Sequence, residues 1–322
     1  MISHVRDQNP VATISTLSEA DLESVPCNVC GAVETTFVEY LRGRLSGYPF
    51  PLVRCRNCGL LYLNPRPRPG VLHRLYTEQY FRGEGKEDGF DYTAEHGNPN
   101  DALNRGHDLR AIMHLHPPPG RVLDVGCGVG GTMRGLLAAG YDCRGVEVSE
   151  FAAAFARQHG YDVSCGDFLE LDSEPDAFDV VVAIEVLEHV ADPRAFIEKV
   201  YTVLKPGGLF YYTTGNFRWF ALQRRLFGRA VMDLYLTPEE HIYFLSTRDM
   251  RTYFRNAGFS TIFTPRLPFN KDSAVLLRML RRAHLIRNAH AAEMSTPVRW
   301  LYNTLILISE PFYRPPLPLA RK

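Results

Sequence analysis

Arg121-Val122-Leu123-Asp124-Val125-Gly126-Cys127-Gly128-Val129-Gly130-Gly131 is the stretch on which the fold turns. A short apolar run meets a glycine cluster, and the residues that follow have helical composition. Glycine supplies the backbone angles of a tight strand-to-helix turn, and the free N–H groups at the helix start can meet a polar ligand. The same alternation continues downstream. Strands are expected over 143–148, 163–165, 180–184 and 209–213, and helices over 131–139, 150–159 and 193–204. Asp192-Pro193 reads as a helix cap followed by proline in the first turn, while Gly140, Gly160 and Gly207 stand at segment ends. This order implies an α/β, doubly wound Rossmann-like fold with a parallel sheet and helices on both faces.

Outward from that core the chain divides into five regions. Residues 1–25 read as a flexible leader, 26–64 as a small cysteine module, and 65–119 as a helical connector and cofactor lid opened by Asn64-Pro65-Arg66-Pro67-Arg68-Pro69-Gly70. Helices are expected over 71–80 and 103–116, with a glycine-rich charged loop at 83–97 between them. The α/β core spans 120–266 and carries an acceptor-recognition insert at 216–246, with a helix over 217–234. The tail, 267–322, holds apolar segments at 276–282 and 300–308, read as packing helices or a lid, with weak peripheral membrane contact as the alternative.

Bulk composition narrows the function classes. The 322 residues hold 36 Lys plus Arg against 36 Asp plus Glu, so no global field draws the chain to nucleic acid or anionic membrane. No secretory leader and no run of eighteen apolar residues is evident, and the cysteines do not form a secreted disulfide framework. A cytoplasmic location is therefore expected.

Alone, the glycine turn is ambiguous. Gly126, Gly128 and Gly131 satisfy the Gly-x-Gly-x-x-Gly pattern of dinucleotide binders, and Glu147, at the end of the second strand, suits a ribose diol in several cofactors. Four motifs in order separate the possibilities. Val122-Leu123-Asp124-Val125-Gly126-Cys127-Gly128, Gly166-Asp167-Phe168, the segment Phe178 to Val190, and Leu204-Lys205-Pro206-Gly207-Gly208 resemble those of the class I S-adenosylmethionine (SAM)-dependent methyltransferases. The resemblance implies their seven-stranded sheet and a SAM site formed by Asp124, Gly126, Cys127, Gly128, Glu147, Val148, Asp167, Phe168 and Glu185. In it, Asp167 would bond the adenine amino group and Phe168 would cover the ring; Gly130 and Gly131 are read as allowing close helix packing.

Cys27-Asn28-Val29-Cys30-Gly31 and Cys55-Arg56-Asn57-Cys58-Gly59 are two Cys-x-x-Cys-Gly knuckles, and their four thiolates can close a structural Zn2+ site with no open position. A redox pair or two disulfides are the alternatives. A ribbon of this kind before a class I core resembles bacterial methyltransferases of sugar, polysaccharide and secondary-metabolite pathways, and in the deoxysugar C-methyltransferases among them it forms part of the substrate side. The acceptor is therefore expected to be a small molecule. An RNA methyltransferase that grips RNA through the ribbon is a second reading; a quinone or lipid-like O-methyltransferase is a third. A scaffold that keeps the fold without the activity is the reading outside the enzymes.

Two clusters can supply the base that methyl transfer to a hydroxyl or acidic carbon needs. Glu185, Glu188 and His189 follow the fourth strand; Glu-x-x-Glu-His there resembles ubiquinone-pathway O-methyltransferases, where it is associated with metal-assisted acceptor binding. Glu239, Glu240 and His241 lie in Thr237-Pro238-Glu239-Glu240-His241-Ile242-Tyr243-Phe244 and resemble the proton-removing Glu-His pair of the sugar C-methyltransferases. His241, Glu240 and His189 are the catalytic candidates, with His241 favoured as base. The aromatic residues Trp219, Phe220 and Tyr243 read first as packing residues.

Overall fold

The structure, a computed structural model, describes residues 17–43, 46–83, 91–94, 106–215, 238–263 and 319–322. The helix expected over 217–234, the apolar segments at 276–282 and 300–308, and residues 1–16 of the leader lie outside the described residues.

Residues 17–25 are not a free leader. A 3-10 turn at Glu19–Asp21 leads into β1 (Leu22–Glu23), which buries Leu22. The cysteine module follows as a hairpin of β2 (Thr35–Arg42) and β3 (Pro49–Cys55), with a bulge between Phe37 and Glu39, and β4 (Leu61–Leu63) adds antiparallel to β3. The proline stretch then returns as β5 (Arg66–Pro67), paired with β1, so the expected connector is tied into the structure. The helix expected over 71–80 is two: α1 (Pro69–His73) and α2 (Glu78–Phe81). Thr77 separates them, because its side chain accepts the Tyr80 N–H and caps a new helix instead of continuing the old one.

The core begins with α3 (Gly106–Leu115) and then alternates β6 (Arg121–Val125), α4 (Gly131–Ala138), β7 (Asp142–Glu147), α5 (Glu150–Gln158), β8 (Asp162–Cys165), β9 (Phe178–Ile184), α6 (Pro193–Val203) and β10 (Leu204–Thr213). Asp192 caps α6 as expected, its Oδ1 accepting the Ala195 N–H at 3.0 Å. Beyond the insert come β11 (Tyr243–Phe244), α7 (Thr247–Ala257), β12 (Thr261–Phe263) and β13 (Leu319–Arg321).

The sheet is seven-stranded, in the order β12-β13-β10-β9-β6-β7-β8, with β10 to β8 parallel and β13 antiparallel to both neighbours. The chain's last strand thus completes the core sheet, which the reading of 267–322 as helices or lid did not foresee. A three-residue strand after prolines offers no period to read. The central strands β6 and β9 are buried on both faces, as parallel strands between helical layers must be. On one flank α7 lays Phe254 against Phe210 and Tyr212, with ring centroids 6.0 and 5.7 Å apart. The smaller sheet runs β11-β4-β3-β2, so its edge strand β11 comes from the far side of the core domain.

Gly130 caps α4 at φ 87°, and a Cβ there would lie 2.5 Å from the Tyr161 ring. Both constraints demand glycine. Gly130→Ala should therefore cost about 1–3 kcal/mol of stability from the left-handed backbone alone, with the ring clash added, read as a lower urea midpoint at unchanged slope.

Candidate active site

The glycine turn is welded to the second strand. Where β6 ends, Gly126 takes φ 71°, and its N–H and that of Cys127 both donate to Val146 O, at 2.7 and 3.2 Å. A Cβ on Gly126 would stand 2.6 Å from Val186, so the turn also fits against the loop after β9. Glu147, 5% exposed, accepts the Gly128 N–H at 2.7 Å and the Ser149 N–H at 2.8 Å. Burial raises its carboxyl pKa, while the backbone N–H groups of Ser149, Gly128 and Val148 hold it down. The turn, the acid and the start of α5 form one hydrogen-bonded unit at the carboxyl edge of the sheet, where ligands bind in doubly wound folds.

The remaining cofactor candidates sort by direction. Asp124 is buried at 2% exposure in β6. The Cys127 side chain faces inward, 2.6 Å from where a Gly145 Cβ would stand, and burial pushes its thiol pKa up, so any ligand meets its backbone and not its sulfur. Val148 and Asp167 are half-buried at the ends of β7 and β8. Asp167 Oδ1 accepts the Leu169 N–H at 2.9 Å, and its other oxygen lies 3.6 Å from His73 Nε2. The expectation that Phe168 covers an adenine ring is corrected. Its ring is buried at 4% exposure, 5.0 Å from Phe196, with the Lys199 ammonium 5.1 Å from its centroid. It is a packing residue between sheet and α6.

Aromatic rings that the sequence did not single out cover the turn. Phe81 of α2 reaches within 3.6 Å of the Gly128 Cβ position and packs on Phe151, while Tyr80 stacks on Tyr92 at 6.1 Å. The Tyr76 carbonyl accepts the Ser149 hydroxyl at 2.7 Å, and the Tyr76 ring lies 6.4 Å from His189. Burial raises the Tyr76 hydroxyl well above its usual pKa, with Glu240, Glu147 and Glu188 adding to the shift. Tyr76 therefore stands between the glycine turn and the acid–base candidates. The only sequence signal was Tyr76 and Tyr80 four residues apart before a charged loop.

The two acid–base clusters, far apart in sequence, meet. Glu185 follows β9 at φ 54° and donates its N–H to Thr213 O and Oγ1, at 3.0 and 3.2 Å. Three residues later the Glu188 carbonyl accepts the N–H groups of Ile242 and Tyr243, at 2.9 and 3.3 Å. That junction sets the His189 and His241 rings 4.6 Å apart, and the ligand atoms of Glu188, His189 and His241 lie within 4.8 Å of one another, close enough to share a proton or a cation. Burial, then Glu185, pushes the Glu188 carboxyl pKa well up. Glu240 stays half-buried beside His241. Glu239 turns away: 1% exposed, it accepts the Ser46 N–H and hydroxyl, at 3.0 and 2.9 Å, and so straps the β2–β3 turn to this segment.

The four thiols of Cys27, Cys30, Cys55 and Cys58 also converge, all within 4.8 Å. Cys27 and Cys58 sulfurs are 3.4 Å apart, and Cys30 and Cys55 sulfurs 3.5 Å. These are far above a disulfide bond of about 2.05 Å. They approach the edge of about 3.8 Å of a tetrahedron with metal–sulfur bonds near 2.3 Å. The knuckles are wound alike: Gly31 and Gly59 N–H groups donate to the Cys27 and Cys55 carbonyls, and the N–H groups of those cysteines donate to Ala32 O and Leu60 O. The donor set fits a four-coordinate ion.

Between the first two cysteines, Asn28 reaches the core. Its amide donates to Asp192 Oδ1 at 2.8 Å, and its Oδ1 accepts the Arg194 N–H and the Tyr253 hydroxyl, at 3.1 and 2.8 Å.

Comparison with known proteins gives the chain a family. A family model described as a methyltransferase domain matches residues 101–262. The ubiquinone biosynthesis O-methyltransferase of Azoarcus sp. strain BH72 is 31% identical over 164 residues, which are 48% of this chain and 70% of that protein. The 24-methylenesterol C-methyltransferase 2 of Oryza sativa subsp. japonica is 34% identical over 162 residues, 46% of this chain and 44% of that protein. Among solved structures, phosphoethanolamine N-methyltransferase 2 of Haemonchus contortus, in complex with S-adenosyl-L-methionine, aligns at TM-score 0.49 and 20% identity over 81% of this chain and 61% of that one.

Glu147→Ala would leave the Gly128 and Ser149 N–H groups without their buried carboxylate, a loss of about 1.5–3 kcal/mol for each charged hydrogen bond. Calorimetric titration with SAM should show affinity weakened about tenfold or more; wild-type affinity in the variant would show that the turn does not need its acid.

Proposed function

This chain belongs to the methyltransferase-domain family, as a class I SAM-dependent methyltransferase, and we propose that it methylates a hydroxyl or acidic carbon of a small-molecule acceptor whose proton His241 removes. The observation that carries this reading is the meeting of Glu188, His189 and His241 within 4.8 Å, at the same sheet edge as the glycine turn. SAM, when bound, supplies an electrophilic methyl group on sulfonium sulfur. The chain's part is to hold, orient and deprotonate. The Gly126–Gly128 backbone would let the methionine portion approach, Glu147 would hold the ribose hydroxyls, and Asp167 would hold the adenine edge. Phe168 is left out of that set, since its ring is spent on Phe196.

An imidazole suits proton removal near neutral pH. His241 takes the acceptor proton as the new bond to methyl forms and the sulfur–methyl bond breaks, with His189 and Glu240 orienting the acceptor. Tyr76, between the two sites, helps exclude water. The acceptor classes favoured are a sugar, a nucleotide sugar or a natural-product hydroxyl or carbon. A phenolic quinone precursor is the second reading, favoured by the name of the Azoarcus relative and by the Tyr76, Tyr80 and Tyr92 rings near the turn. Among the described residues no helix is long and apolar enough to cross a membrane.

Methyl-labelled SAM, offered with nucleotide sugars, phenols and RNA fragments, tests the acceptor class. Label entering RNA alone would overturn the small-molecule reading. In the same assay His241→Ala should lower turnover by about two to four orders of magnitude, the usual weight of a general base, with SAM affinity unchanged; wild-type turnover would remove His241 from the role.

The cysteine centre we assign to zinc. All four positions of a tetrahedral ion would be filled by protein, so its part is structural. Elemental analysis should find one zinc per chain. Cys55→Ser should abolish it and lower the thermal midpoint by about 5 °C or more, since binding free energy at such a site is folding free energy. A midpoint that does not move would show the module to be held without metal.

A further inference from the structure

Arg66 leaves the zinc module for the connector and lies almost wholly buried, 6% exposed. Each edge of its guanidinium is engaged. Nε and Nη2 meet Glu23 Oε1, at 3.0 and 2.9 Å. Nη1 donates to the Ala191 carbonyl at 2.6 Å and to the Tyr243 hydroxyl at 2.7 Å. Its Cζ lies 5.6 Å from the Tyr243 ring centroid.

The partners' positions matter more than their number. Ala191 stands two residues after His189, and Tyr243 two residues after His241. The same two segments meet already at the Glu188 carbonyl, which accepts from Ile242 and Tyr243, and at the Ala191 carbonyl, to which the Tyr243 hydroxyl donates at 3.3 Å. The second of these bonds is long for a hydroxyl donor, and by itself it holds the angle between the segments weakly. Arg66 Nη1, bonded to both of its members at 2.6 and 2.7 Å, braces that second junction beyond the histidines and so fixes the angle between the segments as well as their distance. If the role were only to pair Glu23, one edge of the fork would be enough, yet Nη1 is turned to two uncharged groups on two different segments.

We propose that Arg66 is a positioning residue for methyl transfer, a fork that holds the His189 and His241 imidazoles in register by clamping Ala191 to Tyr243. Lysine cannot replace it, because a single ammonium on a flexible stem does not span Glu23, Ala191 and Tyr243 in fixed directions. The role rests on the reading of His241 as base. Displacing a catalytic group by about 1 Å can cost on the order of 100-fold in rate, so a clamp outside the site is felt at the chemistry.

The test uses the full chain with Arg66→Lys, Arg66→Met and Tyr243→Phe. The nuclear Overhauser effect between the His189 and His241 ring protons reports the register without any acceptor. It should vanish in Arg66→Met and weaken in the other two, while the amide signals of β6, β7 and β9 stay in place. Turnover on a panel member that wild type methylates should fall about 10- to 100-fold in Arg66→Met, with KM for SAM within twofold, and in a fourth variant, Arg66→Ala, millimolar methylguanidine should restore part of the lost turnover. An unchanged inter-ring effect, or SAM affinity lost in step with turnover, would overturn the proposal, the latter by showing Arg66 to be a fold stabiliser only. Full turnover in His241→Ala would instead sink the base assignment, and the inter-ring measurement would still decide whether Arg66 sets the geometry.

Discussion

The two hydrogen bonds that Ile242 and Tyr243 donate to the Glu188 carbonyl are the constraint on which the rest depends. They join the loop after the fourth core strand to a segment that returns only after the insert, and this junction brings the two acid–base clusters together. The joining segment is weak by itself: β11 has two residues. A strand that short has no independent stability and must take its order from its neighbours. It has one on each side. Toward the core it bonds to Glu188; toward the cysteine module it pairs with β4, Tyr243 opposite Tyr62 and Phe244 opposite Leu61, with the Leu63 N–H donating to Ile242 O.

Strain and burial gather at the same place. Glu185 holds a left-handed backbone that a residue with a Cβ adopts at a cost of roughly 1–2 kcal/mol. The Thr213 carbonyl and hydroxyl, both accepting the Glu185 N–H, hold it there. Glu188, one turn further, keeps a carboxyl group at 4% exposure close to a second acid, and burial with that neighbour raises its pKa. Neither feature improves packing. Outliers of this kind persist where the surrounding structure over-determines them, and they concentrate at functional sites.

Much of this was legible in the residues. The run from Arg121 to Gly131, with its successors, carries period, cap and turn signals that agree, and the parallel strands β6 to β10 stand where those signals put them. Cysteine spacing likewise announced the four-thiol cluster, because few arrangements of two Cys-x-x-Cys-Gly knuckles bring four sulfurs together. What could not be read was contact across long separations. Phe168 next to an aspartate looks like a ring cover, and only the place of Phe196 shows that it faces inward. Two candidate base clusters stood as rivals because nothing local in Glu185–His189 or Glu239–His241 says that the segments touch. Glu239 and Glu240 are neighbours of one type, and a hydrogen bond to Ser46 is what separates a strap from a site residue. β13 was hidden for another reason: three residues hold no period.

The cysteine module is small for a separate hydrophobic core, and the structure does not give it one. Phe50, Leu52, Tyr62 and Leu63 belong to the same buried cluster as Val122, Val181 and Phe210 of the main sheet. Below about 40 residues a chain needs a metal, disulfides or a partner to stay folded, and here four thiols and the core surface act together. Asn28, inside the first knuckle, bonds to Asp192 at the cap of α6, and Arg66, just past β4, bonds to Ala191 at the end of the His189 loop. Order in the knuckles is thereby passed to the C-terminal end of the segment that presents Glu188 and His189, and through β4 to the strand that follows His241. On the proposed reading, with four thiolates closing the metal site, the module need not touch the acceptor to matter to the reaction. Its part in that reading is to limit how far two histidines from distant parts of the chain can move apart.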